Sequence, residues 1–374
     1  MRFIPALSDI VPYEPGAPIE LVMRRYGLEE VVKLASNEFP LPPFDEVKAV
    51  IIAALDRLNR YPDGHSTDLR AALAAHYGRT PEQIVVGNGS CELLLFLGNA
   101  LLELGDEVVY ADPSFSLYPT VCQLHEAVAK KVPVVDYALD LAAMVAAVTH
   151  RTRMLIICNP NNPTGTYVPA AAIADVIDAV PADVLVVLDE AYNEFVTAAD
   201  WQDTLQLQES HENVIILRTF SKIYGLCGLR VGYGLCSEEL RQALDKVRQP
   251  FNVNQLAQVA AVEALKHQDQ VLERRRQNAD LRDYMAGALH SAGRATVPSE
   301  ANYMLVGIED LCHPQDKVCG ALMQLGAIVR DGNALGCPGW ARVSVGTRQE
   351  IDFFLDRLAS LEPVARPTAE RGEQ

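Results

Sequence analysis

The sequence predicts an α/β protein in which a mixed, mostly parallel sheet is covered by helices and followed by a small α+β domain. Three observations carry this expectation. From about residue 84, short apolar runs alternate with helical segments, the pattern of strands buried on both faces. Polar turns rich in glycine and proline lie at the ends of those runs rather than inside them. After Glu238 helices take over, and strand candidates return only towards the C-terminus.

Taken in order, residues 1–43 carry Pro5, Pro12, Pro15, Pro18, Pro40, Pro42 and Pro43 and read as an extended arm with short structured pieces. Residues 47–58 and 69–77 have helical spacing, with a Pro-, Asp- and Gly-containing loop at 59–66 between them. Residues 84–86 form a strand candidate that runs into Gly87-Asn-Gly-Ser90, and 92–102 suit a helix. Further strands are expected at 107–111, 154–158, 184–188, 214–217 and 229–235, with helices at 139–148 and 170–179. Helices follow at 240–247, 255–265 and near 270–289. The last part supplies strands at 303–306, 328–330 and 341–345, with helices near 315–325 and 349–358. Residues 362–374 are polar, contain two prolines and are expected to fray.

Bulk properties narrow the function. A chain of 374 residues can bury a large core. The net charge of −17, from 49 acidic and 32 basic residues, disfavours binding to nucleic-acid phosphates. With no run of about 18 apolar residues, no membrane span is expected. The opening residues lack the apolar segment and cleavage site of a secretory signal. Eight cysteines, at 91, 122, 158, 227, 236, 312, 319 and 337, form no close CxxC pair and read as reduced thiols of a cytoplasmic protein. The histidines lack metal-ligand spacing, so no metal site is expected.

The polar strand ends are more specific, because an open α/β sheet binds its ligands there. Lys222 lies in Thr219-Phe-Ser-Lys-Ile-Tyr-Gly-Leu-Cys-Gly-Leu-Arg230, between small hydroxyl residues and a later arginine. That setting suits an amine forming a Schiff base with an aldehyde cofactor, with Thr219, Ser221 and Arg230 holding a phosphate. A solvated lysine in a polar loop is the plain alternative. Gly87-Asn-Gly-Ser-Cys-Glu92 opens a helix, where exposed amides and Ser90 suit the same phosphate, or where Ser90 simply caps the helix. Asn159-Pro-Asn-Asn-Pro-Thr-Gly165 rigidly directs asparagine amides. Asp189, closing an apolar strand, would keep a pyridine nitrogen protonated, and Tyr192 would reach the phenolic oxygen of that ring. Otherwise the two are a capping aspartate and a packed tyrosine. Phe115 would stack on a planar cofactor or serve as core.

With these residues in place, the chain resembles the fold-type I pyridoxal-phosphate aminotransferases, and within them the histidinol-phosphate aminotransferase family. Asn161-Asn-Pro-Thr-Gly165, Asp189-Glu-Ala-Tyr192, Ser221-Lys222 and Gly228-Leu-Arg230 carry the resemblance in order and spacing. Pro12-Tyr-Glu-Pro-Gly16, Leu34-Ala-Ser-Asn-Glu-Phe-Pro40, Arg60-Tyr-Pro-Asp63 and Arg342-Val-Ser-Val-Gly-Thr-Arg348 support the subgroup. The resemblance implies pyridoxal 5'-phosphate as cofactor, with Lys222 as the Schiff-base lysine, Asp189 at the ring nitrogen, Tyr192 and Asn162 at the ring oxygen and Phe115 on the ring face. Ser90, Cys91, Thr219, Ser221 and Arg230 would hold the phosphate. Tyr61 matches a residue that reaches the phosphate of the neighbouring subunit, which implies a homodimer. Tyr13, Asn37, Asn162, Arg330 and Arg342 match the substrate-binding set. Residues 44–250 would form the large cofactor domain, and 251–361 the connecting helices and small domain, to which 1–43 contribute.

The implied reaction moves an amino group between L-histidinol phosphate and 2-oxoglutarate, giving imidazole-acetol phosphate and glutamate in histidine biosynthesis. Two departures bear on this: Cys91 stands where aspartate is frequent, and Leu335 where related chains carry an aromatic residue. The second concerns the substrate, so an aromatic-amino-acid aminotransferase is the nearest rival. A related decarboxylase and a non-enzymatic dimeric binding protein are further alternatives. A dinucleotide-binding dehydrogenase also fits the βα alternation, but Gly225, Gly228 and Gly232 do not follow the first strand as its fingerprint requires.

Overall fold

The computed structural model describes residues 1, 3, 5–8, 10–12, 15–311 and 318–361. Tyr13, Cys312 and the tail 362–374 lie outside the described residues. Its strands are β1 (Val32–Lys33), β2 (Ile84–Gly87), β3 (Glu107–Asp112), β4 (Val128–Pro133), β5 (Thr152–Cys158), β6 (Leu185–Asp189), β7 (Val214–Thr219), β8 (Gly232–Leu235), β9 (Tyr303–Gly307), β10 (Ala327–Ile328), β11 (Arg330–Asp331) and β12 (Trp340–Ser344).

Seven strands form one sheet in the order β2-β8-β7-β6-β5-β3-β4. Only β8 runs against its neighbours, and the other adjacent pairs are parallel. The alternation of side chains explains why its central strands are apolar throughout. Val186, Leu188 and Ile216 enter one core with Ile173 and Ile177 of helix Ala170–Ala179. Val187, Ile215 and Leu217 enter the opposite core with Leu93 and Leu97 of helix Ser90–Leu101. Each such side chain contributes about 1.5–3 kcal/mol on full burial, so the register of β6 and β7 is strongly fixed. Their last residues, Asp189 and Thr219, are thereby delivered to one edge of the sheet.

The strand β4 has no counterpart in the sequence reading. Val128-Ala-Lys-Lys-Val-Pro133 lies at the sheet edge and is largely solvated, so it carries no apolar run. Helix Ile19–Tyr26 in the proline-rich arm was likewise not distinguished. The strand expected at 328–330 divides: β10 pairs with β1, whereas β11 pairs with β12. In this way the arm is stitched to the C-terminal unit, whose sheet has the order β11-β12-β9. Helices Gln268–Ser291 and Arg348–Ala359 pack on that unit through Met285, Leu289, Ile351 and Phe354. Thr347 and Glu350 form a reciprocal capping box at the start of the second helix. No helix among the described residues is long and apolar enough to cross a membrane.

One buried ionic cluster ties β6 to β7 just behind the sheet edge. Arg218 donates to Glu190 Oε2 from Nε at 2.9 Å and Nη2 at 2.8 Å, and Nη2 also reaches Asp203 at 2.7 Å. Arg218 is 2% exposed and Glu190 1%. Arg218→Met should therefore lower the unfolding free energy of the cofactor-free protein by about 3–5 kcal/mol, because it leaves a buried carboxylate without its cation. Urea unfolding followed by far-UV circular dichroism measures this.

Candidate functional site

The ends of β5, β6 and β7 and the turn before helix Ser90–Leu101 enclose one cavity. Ser90, Cys91, Phe115, Asn162, Asp189, Tyr192, Thr219, Ser221, Lys222 and Arg230 all line it. So do Cys158 and Ala191, which the sequence reading did not single out. Cys158 follows from the strand register, since it pairs with Asp189 across β5–β6, and Ala191 lies two residues beyond the end of β6.

Asp189 is 4% exposed. Its Oδ2 accepts a hydrogen bond from the Tyr118 hydroxyl at 2.8 Å. Its Oδ1 is buried and has no hydrogen-bond partner among the described residues. Burial raises the carboxyl above the usual carboxylate range, opposed by the Tyr118 bond, the Ala191 amide and the charge of Lys222. A cationic N–H donor is the group that such an acceptor lacks.

Lys222 follows the end of β7 and places Nζ 3.2 Å from the Asn37 carbonyl oxygen and 5.4 Å from the centre of the Tyr192 ring. Burial, then the positive charge of Arg342, pushes its amine down to about 8. Such a lysine has a far larger neutral, nucleophilic fraction near neutral pH than a solvated one.

At the other end of the cavity, Arg230 adopts a left-handed conformation with φ 59°. Its Nη1 donates to Ser221 Oγ at 3.2 Å and to the Cys227 carbonyl at 3.0 Å. A Cβ on Gly89 would stand 2.6 Å from Arg230 Nη2, and one on Gly232 would collide with the amide of Ser90. Both glycines therefore permit the guanidinium and the first amides of helix Ser90–Leu101 to close around the same space. Amides, hydroxyls and a guanidinium around a helix N-terminus are complementary to phosphate. Burial raises the Cys91 thiol, with Asp189 adding to the effect, so its neutral side chain contributes bulk rather than charge.

Tyr192 stands at a junction of the arm, the sheet edge and the C-terminal unit. Its hydroxyl accepts from Asn37 Nδ2 at 2.9 Å and from Asn162 Nδ2 at 3.4 Å. Arg342 donates to Asn162 Oδ1 at 2.5 Å and to the Ala35 carbonyl at 3.0 Å, with its guanidinium 5.3 Å from the Tyr303 ring centre. Arg330 is the cross-strand neighbour of Arg342 in β11–β12. Tyr61 is not a lining residue: it is 81% exposed and stacks on Phe251 with ring centres 4.7 Å apart. Tyr13 lies outside the described residues. Tyr118 is the site residue that sequence reasoning passed over, although it closes the same Asp112-Pro-Ser-Phe-Ser-Leu-Tyr118 segment that offers Phe115.

The arrangement fits pyridoxal phosphate on the structure's own terms: an amine, an unspent buried acceptor and an anion cradle converge on one cavity. Comparison with known proteins points the same way. A family profile described as "Aminotransferase class I and II" matches residues 29–358. The chain is similar to the histidinol-phosphate aminotransferase of Moorella thermoacetica, with 46% identity covering 95% of this chain and 92% of that protein. It is 44% identical to the Brevibacillus brevis histidinol-phosphate aminotransferase over 93% of this chain and 95% of that one. Among solved structures, the Sinorhizobium meliloti histidinol-phosphate aminotransferase in complex with pyridoxal 5'-phosphate superposes with TM-score 0.85 at 28% identity, covering 96% of this chain and 98% of that one. A Thermus thermophilus aspartate aminotransferase double mutant gives TM-score 0.83 at 25% identity, covering 96% and 99%.

The depressed proton affinity of Lys222 has a measurable consequence in the cofactor-free protein. Its reaction with an amine-acylating reagent should rise as pH increases through about 8, whereas an ordinary lysine rises near 10.4. The difference in pH profile between wild type and Lys222→Arg, followed by peptide mass spectrometry, isolates this group.

Proposed function

The chain belongs to the histidinol-phosphate aminotransferase family of pyridoxal-phosphate-dependent aminotransferases, and we propose that it transfers the amino group of L-histidinol phosphate to 2-oxoglutarate. The products would be imidazole-acetol phosphate and L-glutamate, in histidine biosynthesis. The observation that carries the substrate assignment is the near full-length 46% identity to a histidinol-phosphate aminotransferase. The cross-strand pair Arg330 and Arg342 supports it, because two guanidiniums suit a donor that carries phosphate and an acceptor that carries carboxylates.

Pyridoxal phosphate, when bound, supplies an aldehyde that condenses with amines and a cationic ring that takes up the electron pair released at the donor's α-carbon. Lys222 holds the cofactor between turnovers, and its free amine takes the donor's α-proton and returns it. Asp189, through Oδ1, favours the protonated ring nitrogen. Tyr192, whose hydroxyl accepts from Asn37 and Asn162, would face the ring oxygen. Of the residues that line the cavity, Phe115 would cover a ring face, while Ser90, the Cys91 amide, Thr219, Ser221 and Arg230 would hold the phosphate. Arg342 and Arg330, with Tyr13, would receive the charged end of the substrate.

The working enzyme is a cytoplasmic homodimer in this reading. Exposed Ile52, Leu55, Leu58 and Tyr61 follow one another along one segment, the chemistry of a covered surface. Tyr61 then reaches the phosphate held by the second copy. Light scattering on the purified protein should give twice the mass of the chain; a monomer at micromolar concentration would overturn this part of the reading.

With pyridoxal phosphate, L-histidinol phosphate and 2-oxoglutarate, the protein should form glutamate and imidazole-acetol phosphate in equal amounts. Lys222→Ala should abolish this turnover. Phenylalanine and tyrosine should be much poorer donors. A preference for either would move the specificity to an aromatic-amino-acid aminotransferase while keeping the chemistry of Lys222.

A further inference from the structure

Asp189 carries one spent and one unspent oxygen, and the residue that makes this distinction is Tyr118. The phenol donates to Oδ2 at 2.8 Å, while Oδ1 has no partner among the described residues. Tyr118 is 0% exposed and Asp189 4%, so water does not compete for the bond. We propose that Tyr118 is a positioning residue, which holds Asp189 by Oδ2 and thereby reserves Oδ1 for the protonated ring nitrogen of pyridoxal phosphate. This inference rests on the cofactor reading given under Proposed function.

The direction of the hydrogen bond follows from the chemistry of both partners. Burial pushes the Tyr118 phenol well above its ordinary value, and Asp189 adds to that shift. The phenol thus keeps its proton and acts as donor. Burial pushes Asp189 towards its neutral form, and the Tyr118 bond is the largest influence holding it ionised. Loss of the hydroxyl would therefore free Oδ2 to compete for the ring N–H and favour a protonated carboxyl, which is a poorer partner for a cation.

The position of Tyr118 is itself well determined. It lies in the first turn of helix Leu117–Leu124. Tyr110 packs edge-on at 5.7 Å and 63°, and Phe115 at 5.7 Å and 84°. One short segment therefore supplies both Phe115, which lines the cavity, and the clamp on Asp189. Removing only the hydroxyl leaves these ring contacts in place.

The test compares dissociation constants for pyridoxal phosphate and for its 1-deaza analogue, in which carbon replaces the ring nitrogen, on cofactor-free wild type and Tyr118→Phe. Wild type should favour pyridoxal phosphate. Tyr118→Phe should weaken pyridoxal phosphate binding by about 10- to 100-fold, the range for a hydrogen bond to a charged group, and leave the analogue nearly unchanged. Fluorotyrosine at position 118, which keeps the ring and carries a stronger hydroxyl donor, should strengthen the preference, and it also serves if Tyr118→Phe does not fold. A Tyr118→Phe protein that keeps the wild-type preference overturns the inference, as does parallel weakening of both ligands, the mark of a packing role. A wild type that binds pyridoxal phosphate without preferring it over the analogue overturns it too. A wild type that binds neither refutes the cofactor reading itself.

Discussion

The burial of an acidic and a basic group in one cavity is the constraint on which the rest of this structure depends. Burial pushes Asp189 towards its neutral acid and Lys222 towards its neutral amine, and the neighbours that act against or with burial differ between the two. A phenol, an amide and the charge of Lys222 support Asp189. Desolvation and the guanidinium of Arg342 act on Lys222. The two groups line one cavity, yet different neighbours act on each.

That tuning requires strands that do not shift. The apolar residues of β6 and β7 fix their register from both faces of the sheet, and Glu190 with Arg218 locks the same two strands immediately beside the cavity. The buried ion pair is hydrogen-bonded on several sides: Asp203 also accepts from Arg218, and Thr204 donates to Glu190. Its contribution is best understood as specificity of alignment, since a buried pair repays its desolvation poorly as stability alone.

Asn37 connects this rigid edge to the C-terminal unit. Its amide donates to Ser344 Oγ at 2.9 Å, its side chain to Tyr192 at 2.9 Å, and its carbonyl receives Lys222 at 3.2 Å and Asn302 at 3.1 Å. It holds φ 53°, a conformation that asparagine tolerates better than most side chains. A residue from the N-terminal arm therefore orders the amine, the phenol and β12 together. The arm reaches this place because β1 adds to β10 rather than to the central sheet.

The sequence by itself determined the central strands, most helices and the list of groups at the strand ends. Periodicity and strand-end chemistry are local signals, and runs such as Leu185–Asp189 or the Asn161-Asn-Pro-Thr-Gly165 turn carry them within a few residues. Strand β4 was not legible because an edge strand needs no apolar run, and β1 was not because a two-residue pairing leaves no period to read. The tertiary structure alone decided that Tyr118, distant in sequence from Asp189, would occupy Oδ2 and leave Oδ1 unspent. It likewise decided that Arg330 would face Arg342 and that a lysine and a carbonyl 185 positions apart would meet. Such pairings depend on sheet order and long-range packing, and neither is encoded in the residues flanking the partners.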